Sequence, residues 1–237
     1  MTRPDLDFER PLVTVDLVIF TVRDDRLCVL LVKRPDAPGE PCPHLWALPG
    51  GFIDVERDAD LEACARRKLK EKTGVASPYL EQLGSFGSRR RDPRGWSTTH
   101  VYFCLMPADG VTLAKGANAA DVAWVPVQDS GVARRLAFDH AEILAAALER
   151  LRGKVEYTSL PAFLLPEEFT LTELQRVYEI VLGRPVEKKA FRTRVLATDL
   201  LTEVPRVRTG PNRPAQLYRL RDREAPVFFP RTFSPRS

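Results

Sequence analysis

Two hydrophobic rhythms alternate along the chain. Leu12 to Val22 reads LVTVDLVIFTV, β-branched and partly alternating, which predicts a strand. Asp24-Asp25 marks a turn and Leu27 to Val32 a second apolar strand, so a hairpin opens the fold. A loop containing Pro35, Pro38, Pro41 and Pro43 leads to Trp46 and the glycine turn Leu48-Pro49-Gly50-Gly51-Phe52. From about Asp58 to Thr73 the period becomes helical: Leu61, Ala65 and Leu69 recur at i, i+4 and i+8, and Gly74 stands at the expected C-terminus. Strands are predicted at Leu80 to Phe86, Thr98 to Leu105 and Val122 to Val125, then a helix from about His140 to Leu151. Strands mixed with two helices imply an α/β sandwich.

The pattern changes near Gly153 and through Tyr157 to Pro166, which places a domain boundary near Gly153. Beyond it, Thr170-x-x-Glu173 forms a capping box before Leu174, Val177 or Tyr178, and Val181. Gly183 and Arg184-Pro185 end that helix. A second is predicted from about Glu187 to Leu200, and two strand-like ends around Thr209 to Pro214 predict a β-hairpin.

The 237 residues, 44% hydrophobic and 29% charged, describe a globular chain of one or two domains. No apolar run approaches the roughly 20 residues of a membrane span, and the start lacks the layout of a secretory signal. Cys28, Cys42, Cys64 and Cys104 are scattered, as are His44, His100 and His140, so reduced thiols, no metal site, no cofactor and a cytoplasmic setting are expected. Charge is uneven. From Lys154 onward, 15 Lys and Arg face 10 Asp and Glu, a net +5 within the chain's +4, leaving the front at −1. Polyanions are the obvious partner for the rear.

Gly51 through Val75, GFIDVERDADLEACARRKLKEKTGV, resembles the Nudix box, G-x5-E-x7-R-E-U-x-E-E-x-G-U, and keeps Arg67, Leu69, Glu71, Gly74 and Val75. Lys68 and Lys72 stand where two glutamates belong. The stretch from Gly51 to Arg67 is two residues longer than the pattern, and the upstream glutamate aligns with Ala59 or Arg57. Positions 68, 71 and 72 share one helical face. In active enzymes of the family that face gathers carboxylates around Mg²⁺ for phosphoanhydride hydrolysis. Two ammonium groups repel such an ion, and a protonated lysine offers no lone pair, so no catalytic residues are expected. The lysines themselves have two readings: ordinary solvated helix charges, or static phosphate partners in place of a metal.

In SRRRDPRGWSTTHVYFCL, Arg89, Arg90, Arg91 and Arg94 crowd one loop with Asp92 and Trp96. The guanidinium groups suit phosphate recognition and the indole suits base stacking; a solvated basic loop with Trp96 in the core is equally open. The D-P-R-G-W-x4-V-Y-F arrangement resembles the loop of ADP-ribose-type Nudix proteins and of the NrtR regulators. That likeness implies ligand contact by Arg34, Gly51, Lys68, Glu71, Arg91, Asp92, Arg94 and Trp96.

In the rear, Lys188, Lys189 and Arg192 cluster at the start of the second helix, the part of a helix-turn-helix that reaches base edges. Leu196 lies deeper along the same side, where DNA contact would give way to core. Arg206, Arg208 and Arg213 decorate the hairpin, whose tip suits a narrow minor groove. FTLTELQRVYEIVLGRP and GPNRPAQLYRL resemble the C-terminal domain of NrtR-type regulators, which bind DNA as dimers and control NAD metabolism genes. The resemblance implies a Nudix α/β/α sandwich (1–153) followed by a winged helix-turn-helix domain (154–237). Its DNA contacts would be Thr172, Lys188, Lys189, Arg192, Arg194, Arg208, Asn212 and Arg213. The implied function is a homodimeric repressor on double-stranded operator DNA, released by ADP-ribose or a related nucleotide. Two alternatives stay open: an active hydrolase using Glu71 with Glu62, Glu56 or Asp54, and a sensor of pentose or sugar phosphates.

Overall fold

The computed structural model describes residues 8–74, 79–109, 111, 113, 119–129, 131–209 and 214–229. Strand β1 (Leu12–Arg23) turns back at Asp24-Asp25 into β2 (Arg26–Lys33). Both turn residues have positive φ, 48° and 56°, the mirror-image turn that matches strand twist. Two short strands follow, β3 (Trp46–Ala47) and β4 (Gly50–Phe52), before helix α1 (Leu61–Thr73). Next come β5 (Tyr79–Ser88), β6 (Ser97–Leu105), β7 (Asp121–Pro126) and helix α2 (His140–Val155). The strands form one sheet in the order β3-β2-β1-β6-β5, with β4 and β7 added on β1 and β2; β1 and β6 run parallel.

Strand alternation builds the layers. Val15, Leu17 and Ile19 point to α1 with Cys64, Ala65 and Leu69. Val18 and Phe20 point the other way, to Ile143, Leu144 and Ala147 of α2. Cys28, Cys64 and Cys104 are buried in these layers and Cys42 is half-buried; all four are free thiols.

Helix α1 begins at Asp60, whose carboxylate accepts from the Ala63 N–H, and ends at Gly74 in the left-handed conformation. Helix α2 runs one turn beyond Leu151, so Gly153 is helical. A 3-10 turn (Leu160–Leu164), β8 (Phe169–Thr170), α3 (Leu171–Leu182), α4 (Lys188–Leu196), β9 (Leu201–Arg208) and β10 (Ala215–Leu220) complete the fold, with a sheet in the order β8-β10-β9. The Thr170–Glu173 capping box is formed in both directions, and Gly183 closes α3 with φ 70°.

Helix α4 stops at Leu196, not Leu200. The Thr198 hydroxyl donates to the Val195 carbonyl, and Leu200 rather than Leu196 enters the core. Leu196 is 53% exposed, so it marks no onset of core; Phe191 and Val195 hold that role.

One apolar cluster joins the two ends of the molecule. It runs from Phe20 and Phe103 through Phe163 and Phe169 to Val181 and Phe191. Polar contacts follow the same path: Tyr178 donates to the Thr158 carbonyl at 2.7 Å, and Arg152 of α2 donates to the Val181 carbonyl of α3 at 3.3 Å.

Candidate functional site

A cleft of about 890 Å³ opens between the Leu48–Phe52 turn, α1 and the loop after β5. Arg34, Gly51, Lys68, Glu71, Arg91, Asp92 and Arg94 all line it. Trp96 does not. It is 47% exposed and lines a neighbouring groove with Arg10, Arg89 and Arg94, so it belongs to neither the core nor the main cleft.

The arginines are already held by carboxylates. Arg34 pairs with Glu40 at 2.5 Å, donates to the Pro41 carbonyl, and lies over the Phe138 ring at 4.9 Å. Arg94 forms two side-chain bonds to Asp92, at 3.0 and 2.8 Å, and lies over the exposed Phe52 ring. Burial works against the Asp92 carboxylate, yet the hydrogen bonds from Arg94 hold its pKa below the usual value. Arg91 is buried, bound by two hydrogen bonds to Asp139 and 3.6 Å from Asp16. Arg67 grips Asp58 through two bonds of 2.6 and 2.7 Å; they hold the Asp58 carboxyl far below the usual carboxylate range. Glu71 reaches Arg67 at 3.1 Å and Arg57 at 3.9 Å.

Lys68 is different. Its side chain is buried on α1, and no carboxylate among the described residues lies within ion-pair distance. Gly51, with φ 142°, folds over it so closely that a Cβ there would stand 3.2 Å from the Lys68 Nζ. Gly50 is constrained more tightly: a Cβ would meet the Asp16 carboxylate at 1.9 Å and the Val15 carbonyl oxygen at 2.7 Å. Lys72 lines the same cleft one turn along. Burial lowers its pKa; Glu71 opposes that and Lys68 adds to it. Among the described residues no three His, Cys, Asp or Glu side chains converge into a metal cage.

Several cleft residues carried no signal in the sequence. Phe138, at φ 55°, and His140 enter from the segment before α2, and Asp16 from the middle of β1. His140 Nδ1 accepts the Leu48 N–H at 2.9 Å, which pins the glycine turn to α2. None of the three sits in a motif; an isolated polar residue in an apolar strand was the one available hint for Asp16.

At the other end, Lys188, Lys189 and Thr172 are exposed and Arg192 is half-buried. Arg194 projects from a different side of α4 and lies over the Phe229 ring at 5.0 Å. Arg206 and Arg208 are engaged in cis: Arg206 pairs with Glu168, and Arg208 pairs with Glu173 and donates to the Glu168 carbonyl. Asn212 and Arg213 lie outside the described residues.

Comparison with known proteins fits both ends. The NUDIX domain model matches residues 10–147, and the NrtR DNA-binding winged helix domain model matches residues 161–220. A relative from Acinetobacter baylyi, the ADPR responsive transcriptional repressor NtrR, is 45% identical over 95% of this chain and 88% of its own length. The chain belongs to the NrtR family. The crystal structure of Shewanella oneidensis NrtR complexed with a 27mer DNA superposes with TM-score 0.83 at 44% identity, covering 92% of this chain and 97% of that one. The NUDIX domain of the same NrtR, complexed with ADP ribose, is 46% identical, covers 61% of this chain and 90% of that one, and has TM-score 0.55. An NrtR architecture, a NUDIX α/β unit followed by a winged helix, is thus the fold of this chain. No helix among the described residues is long and apolar enough to cross a membrane.

Proposed function

We propose that the chain is an ADP-ribose-responsive transcriptional repressor. Its front unit, 1–153, receives the nucleotide in the cleft beside Lys68, and its rear unit, 154–237, binds operator DNA through α4 and the hairpin. The observation that carries this reading is a match running through both units to a DNA-bound NrtR, with a cleft lined by the buried Lys68, which has no carboxylate partner among the described residues.

The protein acts as a homodimer in the cytoplasm, on genes of NAD metabolism. A ligand that favours one dimer geometry shifts the population away from the geometry spanning two half-sites. It does not hydrolyse its effector. Mg²⁺ demands oxygen ligands, and this helix face offers Lys68, Lys72 and a Glu71 already facing Arg67 and Arg57. The donor set does not fit the ion.

The test is a gel shift of the purified protein on genomic fragments selected by its own binding, titrated with ADP-ribose. Release of bound DNA is expected. Absence of binding at low salt, or binding indifferent to ADP-ribose, overturns the reading, and brisk turnover of ADP-ribose with Mg²⁺ overturns the claim of inactivity.

A further inference from the structure

We infer that the Lys68 ammonium, with Lys72 behind it, occupies the role of the divalent cation in a NUDIX site and grips the effector's pyrophosphate, so that binding needs no metal. This rests on the ligand reading above and extends it to how the ligand is held. The argument begins from charge. Of the cleft's cations, Arg34, Arg67, Arg91 and Arg94 each have a carboxylate within hydrogen-bond range or ion-pair contact, while Lys68 has none among the described residues. A buried ammonium without a counter-ion is costly unless an anion arrives to pair with it. Lys72, one helical turn away, adds to the demand, since like charges at i, i+4 repel.

Geometry agrees. Gly51 puts no side chain beside Lys68, where a Cβ would lie 3.2 Å from Nζ, and both residues line the cleft. An ammonium is a compact point charge with three donors, suited to bridging phosphate oxygens as a cation does.

The experiment is calorimetry of full-length protein with ADP-ribose, in EDTA and then in excess Mg²⁺, with inorganic pyrophosphate as a second probe. Equal affinity in both conditions is expected. Lys68→Met, which keeps the apolar stem and so the packing, should weaken both probes about ten- to hundredfold. Lys68→Glu should make the residual binding depend on Mg²⁺, and circular dichroism and melting of each variant check that it is folded. Wild-type binding that appears only with Mg²⁺, or a folded Lys68→Met that binds as wild type, overturns the inference while leaving the effector reading intact. Metal-free pyrophosphate binding lost in Lys68→Met, without any ADP-ribose binding, upholds it and rejects that effector instead.

Discussion

The guanidinium of Arg91 is fastened to the carboxylate of Asp139 by bonds of 2.9 and 3.0 Å, joining the loop after β5 to the residue that precedes α2. Both side chains are largely buried, and Asp16 approaches the same guanidinium at 3.6 Å. Removing the cation would strand two carboxylates out of water. Arg91→Ala is therefore expected to destabilise the chain by about 3–5 kcal/mol, the usual cost of breaking a buried pair from one side. Denaturant unfolding measures it. Because the apolar cluster runs from Phe20 to Phe191, the loss should appear in one transition rather than two. A wild-type midpoint for the variant would show that the pair contributes nothing.

His140 gives the fold a pH dependence of known sign. Burial, ahead of the opposing pull of Asp16 and Asp139, lowers its pKa from 6.5. Below that value the unfolded chain takes up a proton that the folded chain refuses. Stability is fully present above about pH 6.5 and declines on acidification, by at most about 1.4 kcal/mol per pH unit from this group. His140→Gln retains an acceptor for the Leu48 N–H without titrating. Its stability should vary less between about pH 7 and pH 5 than that of wild type. An unchanged slope in the variant would assign the dependence elsewhere.

Local signals were legible in the sequence where local chemistry decides the outcome. The Asp24-Asp25 turn, the Thr170–Glu173 box and the Gly74 and Gly183 terminators each need only near neighbours, and each formed at its place. The run of arginines was harder to read. A guanidinium that is free and one held by a carboxylate 48 residues away look identical in sequence, so the Asp139 pairing of Arg91 was not legible there. Lys68 shows the converse. Helical spacing placed it on a charged face, but the fold buries it and brings its ammonium beside Gly51, seventeen positions earlier in the chain. The end of α4 failed for a third reason: a side-chain hydroxyl at Thr198 competes for the backbone, which periodicity does not register.

The two sides of α4 separate residues that the sequence grouped together. Lys188, Lys189 and Arg194 are all exposed, but Arg194 leaves the helix on another side and lies over the Phe229 ring. Lys189→Ala should weaken operator binding and reduce the slope of log affinity against log salt by about 1. Arg194→Ala should leave that slope unchanged and instead lower the melting temperature slightly, through lost stacking. Fluorescence anisotropy across a salt series distinguishes them. Equal slopes for the two variants would mean that Arg194 also meets phosphate in the complex.

Arg208 presents the last test, because its partner Glu173 also closes the capping box of α3. One Glu173 carboxylate oxygen accepts from the Thr170 backbone N–H and hydroxyl while the other faces the guanidinium, so the hairpin is tied to the start of α3. Glu173→Ala removes both functions. The Thr170 hydroxyl still accepts the backbone N–H of residue 173; loss of the reciprocal half of the box costs about 1 kcal/mol, and the half-exposed pair adds at most about 1 kcal/mol. The same change releases Arg208 from its internal carboxylate. Operator affinity should then stay level or rise at low salt even as stability falls, an opposite movement of two readouts that simple damage to the domain does not produce. A parallel loss of stability and affinity would show instead that the tie positions the hairpin for DNA.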